Sequence, residues 1–217
     1  PCTLESLQSI INGLSSNKSS GPNSIPTAIL KLIKESIFIP LSQLINYCFD
    51  KGIFPQILKE AKVIPVFKSG SREKCNNYHP ISLLSNISKI IEKLVHNQLN
   101  SFLSDSNVLY DLQFGFRLNT STNHALINIV EKIQKNLDEG NLTAGIFIDL
   151  RKAFDTVDHN ILLYKLNYYG VRGVPLQWFK SYLTNRTQYT LQMENHHCYV
   201  QKGLTKTQIN RNIASDK

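Results

Sequence analysis

The chain has 217 residues, of which 41% are hydrophobic and 9% aromatic, an ordinary balance for one large globular domain or two small ones. It carries 24 Lys and Arg against 16 Asp and Glu, a formal net charge of +8. This excess argues against an acidic protein and favours a polyanionic partner such as nucleic acid, although a basic surface without a partner would give the same count.

The cysteines and the apolar runs exclude several other classes. The four cysteines are far apart and form no Cys-x-x-Cys pair, which predicts free thiols in a reducing compartment. His196, His197 and Cys198 are consecutive, whereas metal ligands normally converge from separated positions, so we predict no metal there. No apolar run approaches the ~20 residues of a membrane span, so we expect no membrane partner.

Apolar periodicity predicts a chain of helices with a few strands. Helices are predicted where apolar residues recur every three or four positions, over 4–14, from Pro26, and over 40–49, 87–103, 123–137, 161–169 and 178–183. A strand is predicted over 61–68, where Pro65 restricts it to a sheet edge or a bulge. Segments 188–193 and 197–201 predict a hairpin. In the helix predicted over 123–137, the apolar stripe of Leu126, Ile129, Val130 and Ile133 is expected to lie in a core.

The stretch from Ala144 to Leu150 has the alternation of a strand and carries Asp149 at its end. A carboxylate in this position could bind a metal ion, or it could close the strand by accepting backbone N–H bonds. The chain then turns, and Asp158 is well placed to cap the next helix.

Four sequence motifs resemble those of one family. Phe-Ile-Asp-Leu-Arg-Lys-Ala-Phe-Asp-Thr-Val-Asp-His, over 147–159, closely resembles the first catalytic motif of reverse transcriptases from non-LTR (LINE-like and jockey-like) retrotransposons. Tyr-His-Pro-Ile-Ser from Tyr78 and Gln-Phe-Gly-Phe-Arg from Gln113 resemble further motifs of these enzymes. Lys-Ser-Ser-Gly-Pro-Asn-Ser-Ile-Pro from Lys18 resembles their opening signature.

The resemblance implies an α+β fold, namely the fingers and an incomplete palm of a right-hand polymerase. It divides the chain into N-terminal helices and fingers (1–85), a partial palm (86–160), a helix and fingers hairpin (161–204) and a non-homologous, disordered tail (205–217). It implies an RNA-directed DNA polymerase of a mobile element that takes an RNA template, a DNA primer and dNTPs. Such a retroelement protein would be intracellular, in the cytoplasm and nucleus.

The same resemblance assigns roles to individual residues. Asp149 would be the catalytic Mg²⁺ ligand, with the backbone carbonyl of Leu150 beside it, in a two-metal nucleotidyl transfer. The nucleotide-binding residues would be Lys68, His79, Lys152, Ala153 and Phe154. The nucleic-acid-binding residues would be Lys18 and Arg117. Without the family, Lys68 would be a solvated charge, Phe154 a core aromatic, and the Lys18 segment a surface loop.

Two departures from the family pattern bear on activity. The family usually has Arg where this chain has His79, so a permanent bidentate phosphate ligand is replaced by a side chain that is mostly neutral at pH 7. The later Tyr-x-Asp-Asp motif is absent, and only Gly203 and Leu204 remain of the Gly-x-Pro-Gln-Gly-Ser loop. We therefore predict that this chain does not polymerise alone. The alternatives are a nucleic-acid-binding remnant without chemistry and a relic without a role.

The sequence also suggests a fragment of a longer protein, because it starts at Pro1 and loses the family pattern after Leu204. The strands that would pair with the Asp149 strand are missing. We therefore expect an exposed apolar flank, marginal stability and a tendency to aggregate.

Overall fold

The computed structural model describes residues 1–16, 21, 25–74, 77–150, 153–194 and 197–203, with the backbone alone from 191 onward. The described chain contains helices and one small sheet, consistent with the expected α+β class. In chain order the elements are α1 (Leu4–Gly13), α2 (Thr27–Leu32), α3 (Lys34–Asp50), β1 (Glu60–Phe67), β2 (Tyr78–Leu83), α4 (Asn86–Asp105), α5 (Thr122–Asp138), α6 (His159–Tyr168), α7 (Val174–Leu183), β3 (Thr187–Glu194) and β4 (His197–Gly203).

Local capping explains where two of the helices begin. At the start of α1, the Thr3 hydroxyl accepts a hydrogen bond from the Ser6 amide, and the Ser6 hydroxyl accepts one from the Thr3 amide, each at 3.2 Å. At the start of α6, Asp158 Oδ1 accepts from the amides of Asn160 and Ile161 at 2.7 and 3.0 Å. The cap predicted at Asp158 is therefore present.

The sheet has the strand order β2-β1-β3-β4. β1 is antiparallel to β2 and parallel to β3, and β3 is antiparallel to β4. The pairing of β1 with β3 covers only Glu60 to Val63, so Pro65 has a neighbouring strand on one side alone. At Pro65 this interior strand is locally an edge, which is where proline is tolerated.

The chain divides into two compact units, the first formed by residues 1–98 and 158–217 and the second by 99–157. The four segments expected from the sequence divide the chain differently and stay predictions. The first unit has a core to which α1, α3, α4 and α7 contribute. Its fully buried aliphatic side chains include Leu7, Ile11, Ile45, Ile90 and Ile91.

Trp178 of α7 completes this core with an aromatic cluster. Its ring stacks on Tyr182 at 5.3 Å between centroids and meets the edge of Phe54 at 5.6 Å. The contact with Phe54 places α7 against the chain that leads into β1. The amide of Phe54 also donates a hydrogen bond to Ser181 Oγ of α7 at 2.9 Å. These contacts fix the start of β1, and with it the β1–β2 hairpin.

The second unit has no buried residue among those that the structure describes. The stripe of α5 predicted to lie in a core is exposed instead, which corrects that expectation. Its helical spacing is correct, but nothing in this unit packs over it. The exposed stripe consists of Leu126, Ile129, Val130, Ile133 and Leu137.

No helix in the described part of the chain is both long and apolar enough to cross a bilayer.

Candidate nucleotide and nucleic-acid site

The β1–β2 hairpin brings Lys68 and His79 to one face of the sheet. His79 pairs with Val66, and the backbone pairing extends one residue past the strand, where the Lys68 amide donates to the Asn77 carbonyl at 2.8 Å. Because side chains alternate along a strand, Val66, Lys68 and His79 point to the same side. That side faces away from buried Ala61 and Val63, so both candidate nucleotide-binding residues lie on an exposed surface.

The tip of this hairpin is held by specific contacts. The Tyr78 hydroxyl donates to the Arg72 carbonyl at 2.9 Å, and the Arg72 guanidinium lies over the Phe67 ring at 5.1 Å. Gly70 has φ +86°, and a Cβ there would lie 2.8 Å from the Asn77 side chain. The tip therefore requires glycine at this position, and its contacts hold the backbone beside Lys68 in one conformation.

In the second unit, Arg117 lies in a loop that is closed by hydrogen bonds. Its guanidinium donates to the Tyr110 carbonyl at 2.9 Å, and the Thr120 hydroxyl donates to the Phe114 and Arg117 carbonyls at 2.7 and 3.0 Å. A cavity of about 440 Å³ lies beside this loop, with Tyr110, Asp111 and Arg117 among its lining residues. Arg117 thus offers a fixed cation at an open cavity.

The stretch from Ala144 to Leu150 is not a strand, which corrects the prediction made from its alternation. None of the four strands of the described sheet pairs with it. Its apolar side chains are almost fully solvent-exposed, with 89% for Ile146, 87% for Phe147 and 82% for Ile148. A strand needs a neighbour for its backbone hydrogen bonds, and alternation in the sequence does not supply one. Asp149 is therefore exposed on a segment without regular secondary structure.

Phe154 follows this segment and contacts another aromatic ring of the same unit. Its ring meets that of Phe116 edge to face, with centroids 5.7 Å apart, and the two side chains are 79% and 86% exposed. Phe116 has φ +60°, a conformation that is unfavourable for a bulky residue and that marks a constrained loop. The interpretation of Phe154 as a core aromatic does not hold in this structure.

Comparisons with known proteins agree with these motifs. The sequence profile described as reverse transcriptase (RNA-dependent DNA polymerase) matches residues 66–206, which is more than half of the chain. The chain belongs to the reverse transcriptase family. The match begins at Val66, near the end of β1, and contains Lys68, β2, the Arg117 loop and the Asp149 segment.

Relatives of this reverse transcriptase chain come from mobile elements. It is 33% identical over 193 residues to the probable RNA-directed DNA polymerase from transposon BS of Drosophila melanogaster, covering 86% of this chain and 20% of the relative. It is 31% identical over 189 residues to the RNA-directed DNA polymerase from mobile element jockey of the same species, covering 85% and 20%. The chain thus spans about one fifth of the length of these curated relatives.

The metal chemistry of the family can be tested against the residues present. Reverse transcriptases generally use divalent metal ions, which prefer several oxygen ligands. In the described ranges, no three His, Cys, Asp or Glu side chains gather closely enough to hold a metal ion. Asp149 and the Leu150 carbonyl alone do not fit a two-metal site, so we derive no reaction step through magnesium here.

The remaining predicted site residues divide between described and undescribed positions. Ala153 is exposed in a turn, where its carbonyl accepts from the Thr156 hydroxyl at 3.1 Å. Lys18 and Lys152 lie outside the described residues, as does the tail from Leu204. Lys68 and His79 belong to the first unit, whereas Arg117, Asp149, Leu150, Ala153 and Phe154 belong to the second.

The first unit contains a partly buried polar cluster that the sequence did not predict. Glu92 Oε1 accepts hydrogen bonds from the Tyr182 hydroxyl at 2.9 Å and the Ser88 hydroxyl at 3.3 Å. Arg186 lies over the Tyr182 ring at 4.6 Å and donates to the Tyr182 carbonyl at 3.1 Å. The only sequence signal was a glutamate in the otherwise apolar stripe of α4. The cluster joins α4, α7 and the start of β3.

Burial is the main influence on both acidic groups of this cluster. It raises the pKa of the Glu92 carboxyl, while the hydrogen bond from Tyr182 and the nearby Arg186 charge act in the opposite direction. Burial and the neighbouring Glu92 also raise the pKa of the Tyr182 hydroxyl. The hydroxyl therefore stays protonated and remains the donor to Glu92.

Proposed function

We propose that this chain is the template- and nucleotide-contacting part of a mobile-element RNA-directed DNA polymerase, corresponding to the fingers and part of the palm. The observation that carries the proposal is the family match over residues 66–206, which includes the motifs at Tyr78, Gln113 and Phe147. The partners would be an RNA template, a DNA primer and dNTPs, by analogy with the transposon BS and jockey relatives, which are named RNA-directed DNA polymerases.

In this proposal the β1–β2 hairpin contacts the incoming nucleotide. The exposed face with Lys68 and His79 offers a cation and an imidazole to the triphosphate, and the fixed hairpin tip limits the motion of Lys68. The Lys152 and Ala153 amides would also face the triphosphate. Phe154 would lie beneath the sugar, where its ring would clash with a 2′-hydroxyl and so favour deoxynucleotides.

The template would be contacted by Arg117, whose loop is closed by hydrogen bonds, and by Lys18. A guanidinium beside an open cavity suits backbone phosphates. Asp149 and the Leu150 carbonyl would each supply one oxygen ligand for Mg²⁺. The other carboxylates would come from a Tyr-x-Asp-Asp motif that is absent from these 217 residues. Binding of substrates and completion of the metal site are therefore separate properties of this chain.

The test is binding of a labelled RNA–DNA primer–template hybrid to the 217-residue chain as the salt concentration rises. We expect a steep loss of affinity with salt, because phosphate contacts release counterions. Arg117→Gln should reduce the slope of log K against log salt by about 0.9, the value for one phosphate contact. Lys51→Gln, which replaces a solvent-exposed lysine at the end of α3, is the matched control and should leave the slope unchanged. No affinity at about 50 mM salt would refute the proposal.

A second candidate, binding without chemistry, is supported by the distribution of charge. The second unit holds five basic residues, namely Arg117, Lys132, Lys135, Arg151 and Lys152. Its acidic residues are more numerous, namely Asp105, Asp111, Glu131, Asp138, Glu139, Asp149 and Asp155. The basic excess therefore belongs to the first unit, which lacks Asp149. This candidate predicts nucleic-acid binding that is unaffected by Asp149→Asn.

A further inference from the structure

The surface of α6 and α7 has an unusual charge pattern. From His159 to Met193 the sequence contains no Asp or Glu, while it contains the four basic residues Lys165, Arg172, Lys180 and Arg186. The acidic residue immediately before this stretch, Asp158, is occupied as the N-cap of α6. Among the described residues, neither Lys165 nor Arg172 forms a salt bridge with a carboxylate.

Three tyrosines near the end of α6 are exposed together, and we call them the tyrosine face (Tyr164, Tyr168 and Tyr169). Tyr164 and Tyr168 are 69% and 70% exposed, and they are four residues apart, so they lie one above the other on the same side of the helix. The Tyr169 ring meets Tyr168 edge to face at 5.3 Å. Buried Leu166 marks the opposite, core-facing side of α6.

Two cations flank the tyrosine face. Lys165 is exposed next to Tyr164. Arg172 is held at the end of α6, where its Nε donates to the Asn167 carbonyl at 3.3 Å. Large exposed rings beside unneutralised cations are the combination that stacks on bases and contacts phosphates in single-stranded nucleic acids. A protein partner would gain apolar contact from the rings but would have to supply carboxylates for both cations.

The spacing of the rings favours an unpaired strand over a duplex. Tyr164 and Tyr168 are about one helical turn apart, roughly 5.4 Å, whereas neighbouring bases in a duplex strand are about 3.4 Å apart. Bases that stack on Tyr164 and Tyr168 must therefore be separated from each other. In a duplex this is prevented, because neighbouring base pairs cover the faces of each base.

We propose that the tyrosine face, with Lys165 and Arg172, binds single-stranded nucleic acid. Unpaired bases stack on the rings of Tyr164 and Tyr168, and the backbone phosphates contact the two cations. The inference rests on the proposed function for its partner, since an unpaired template is the strand that such a surface would hold. It does not depend on Asp149 or on any chemical step.

The test is fluorescence anisotropy of a labelled single-stranded RNA of about 16 nucleotides with the 217-residue chain. Tyr164→Leu combined with Tyr168→Leu should weaken binding by about tenfold or more, because stacking is lost while apolar area is kept. The salt slope should not change in this variant. Tyr47→Leu removes a ring that is exposed on α3 and should not alter the affinity.

A second pair of variants separates stacking from charge. Lys165→Gln combined with Arg172→Gln should reduce the salt slope by about 1.4, which is two contacts of 0.7 each for a single strand. Tyr164→Phe combined with Tyr168→Phe keeps the rings and should bind as the unmodified chain does. This variant also keeps the inference testable if the leucine variant does not fold, and folding of each variant is checked by circular dichroism.

The outcomes distinguish this inference from the proposed function. If the unmodified chain binds RNA and the leucine variant binds equally well, the tyrosine face is not the site, while the proposed function stands. If the leucine variant changes the sedimentation of the chain and not its affinity, the face contacts a second copy and the inference is overturned. If the unmodified chain does not bind at about 50 mM salt, the proposed function fails as well.

Discussion

His79 is the residue at which this chain departs most clearly from its family within a described element. It lies opposite Val66 on the exposed face of the β1–β2 hairpin, where its side chain is accessible. An arginine in this position would provide a permanent charge and two parallel hydrogen bonds to a phosphate, and an imidazole cannot form that bidentate pair. The family resemblance thus predicts an arginine as the phosphate ligand of this hairpin, and the chain has a histidine in that position.

His79→Arg should therefore strengthen the binding of a deoxynucleoside triphosphate. We expect at least about fivefold tighter binding, because charge-assisted bidentate hydrogen bonds are among the strongest polar contacts. The measurement is titration of a fluorescent dNTP, with His96→Arg as the control that adds the same charge on α4. Equal effects of both substitutions would show that general charge, and not the position of residue 79, determines the affinity.

Glu92 makes stability depend on pH. Its raised pKa means that the folded state favours the protonated carboxyl, so its contribution to stability is fully present below the pKa of the unfolded chain, about 4.5, and is lost as pH rises through the raised folded value. Gln at this position keeps an oxygen that can accept from Tyr182 but has no proton to lose.

Glu92→Gln should consequently raise the free energy of unfolding more at pH 7 than at pH 4, relative to the unmodified chain. Urea unfolding at both pH values measures this difference. Glu35→Gln on α3, a glutamate in the first turn of another helix, is the control. If the stability difference between the Glu92→Gln variant and the unmodified chain falls as pH rises, the account of this buried carboxyl is wrong.

At the scale of elements, the second unit exposes surfaces that resemble interior ones. The stripe of α5 and the stretch from Ala144 to Leu150 are apolar and accessible in the same unit. Exposed apolar surface of this kind is typical of a binding interface or of a chain prone to association. Association of the isolated chain at micromolar concentration is therefore expected.

Leu126→Glu combined with Ile133→Glu should reduce that association, because two charges would interrupt the apolar stripe of α5. Light scattering against concentration measures it. Asn128→Glu adds a charge to the same helix outside the stripe and should have little effect. Association that is unchanged in the double variant would show that the α5 stripe is not responsible.

The elements also show what the sequence could predict. The helix at Leu4 was predicted correctly from its apolar spacing and the helix at His159 from the Asp158 cap, because both signals act within a few residues. The prediction of a strand before Asp149 was wrong, because a strand needs a pairing partner from another part of the chain. The predicted apolar spacing of α5 was correct, but the predicted burial of its stripe was wrong. Periodicity identifies an apolar face and does not show whether another element covers it.

The candidate site was predictable only in part for a related reason. Motif resemblance identified Lys68 and His79, but their common face depends on the β1–β2 register, which is not visible in either segment alone. The contact of Phe116 with Phe154 and the burial of Glu92 depend on tertiary packing. None of these relations has a local signal in the sequence.

At the scale of the whole molecule, family membership and activity are different questions. The chain belongs to the reverse transcriptases, yet it lacks the Tyr-x-Asp-Asp carboxylates that would complete a two-metal site. We expect no primer extension by the 217-residue chain with Mg²⁺, dNTPs and a primer–template hybrid. Extension that requires Mg²⁺ and disappears in Asp149→Asn would refute this expectation.

The central claim is that the family-matched surfaces contact the nucleic acid, and mapped photo-crosslinking tests it most directly. The chain is bound to an RNA–DNA primer–template hybrid that carries 4-thiouridine in the template, irradiated, digested and analysed by mass spectrometry. We predict crosslinked peptides from the β1–β2 hairpin and from the loop that contains Arg117. Crosslinks confined to α1–α3, or the absence of any crosslink under conditions where the hybrid is bound, would contradict the account.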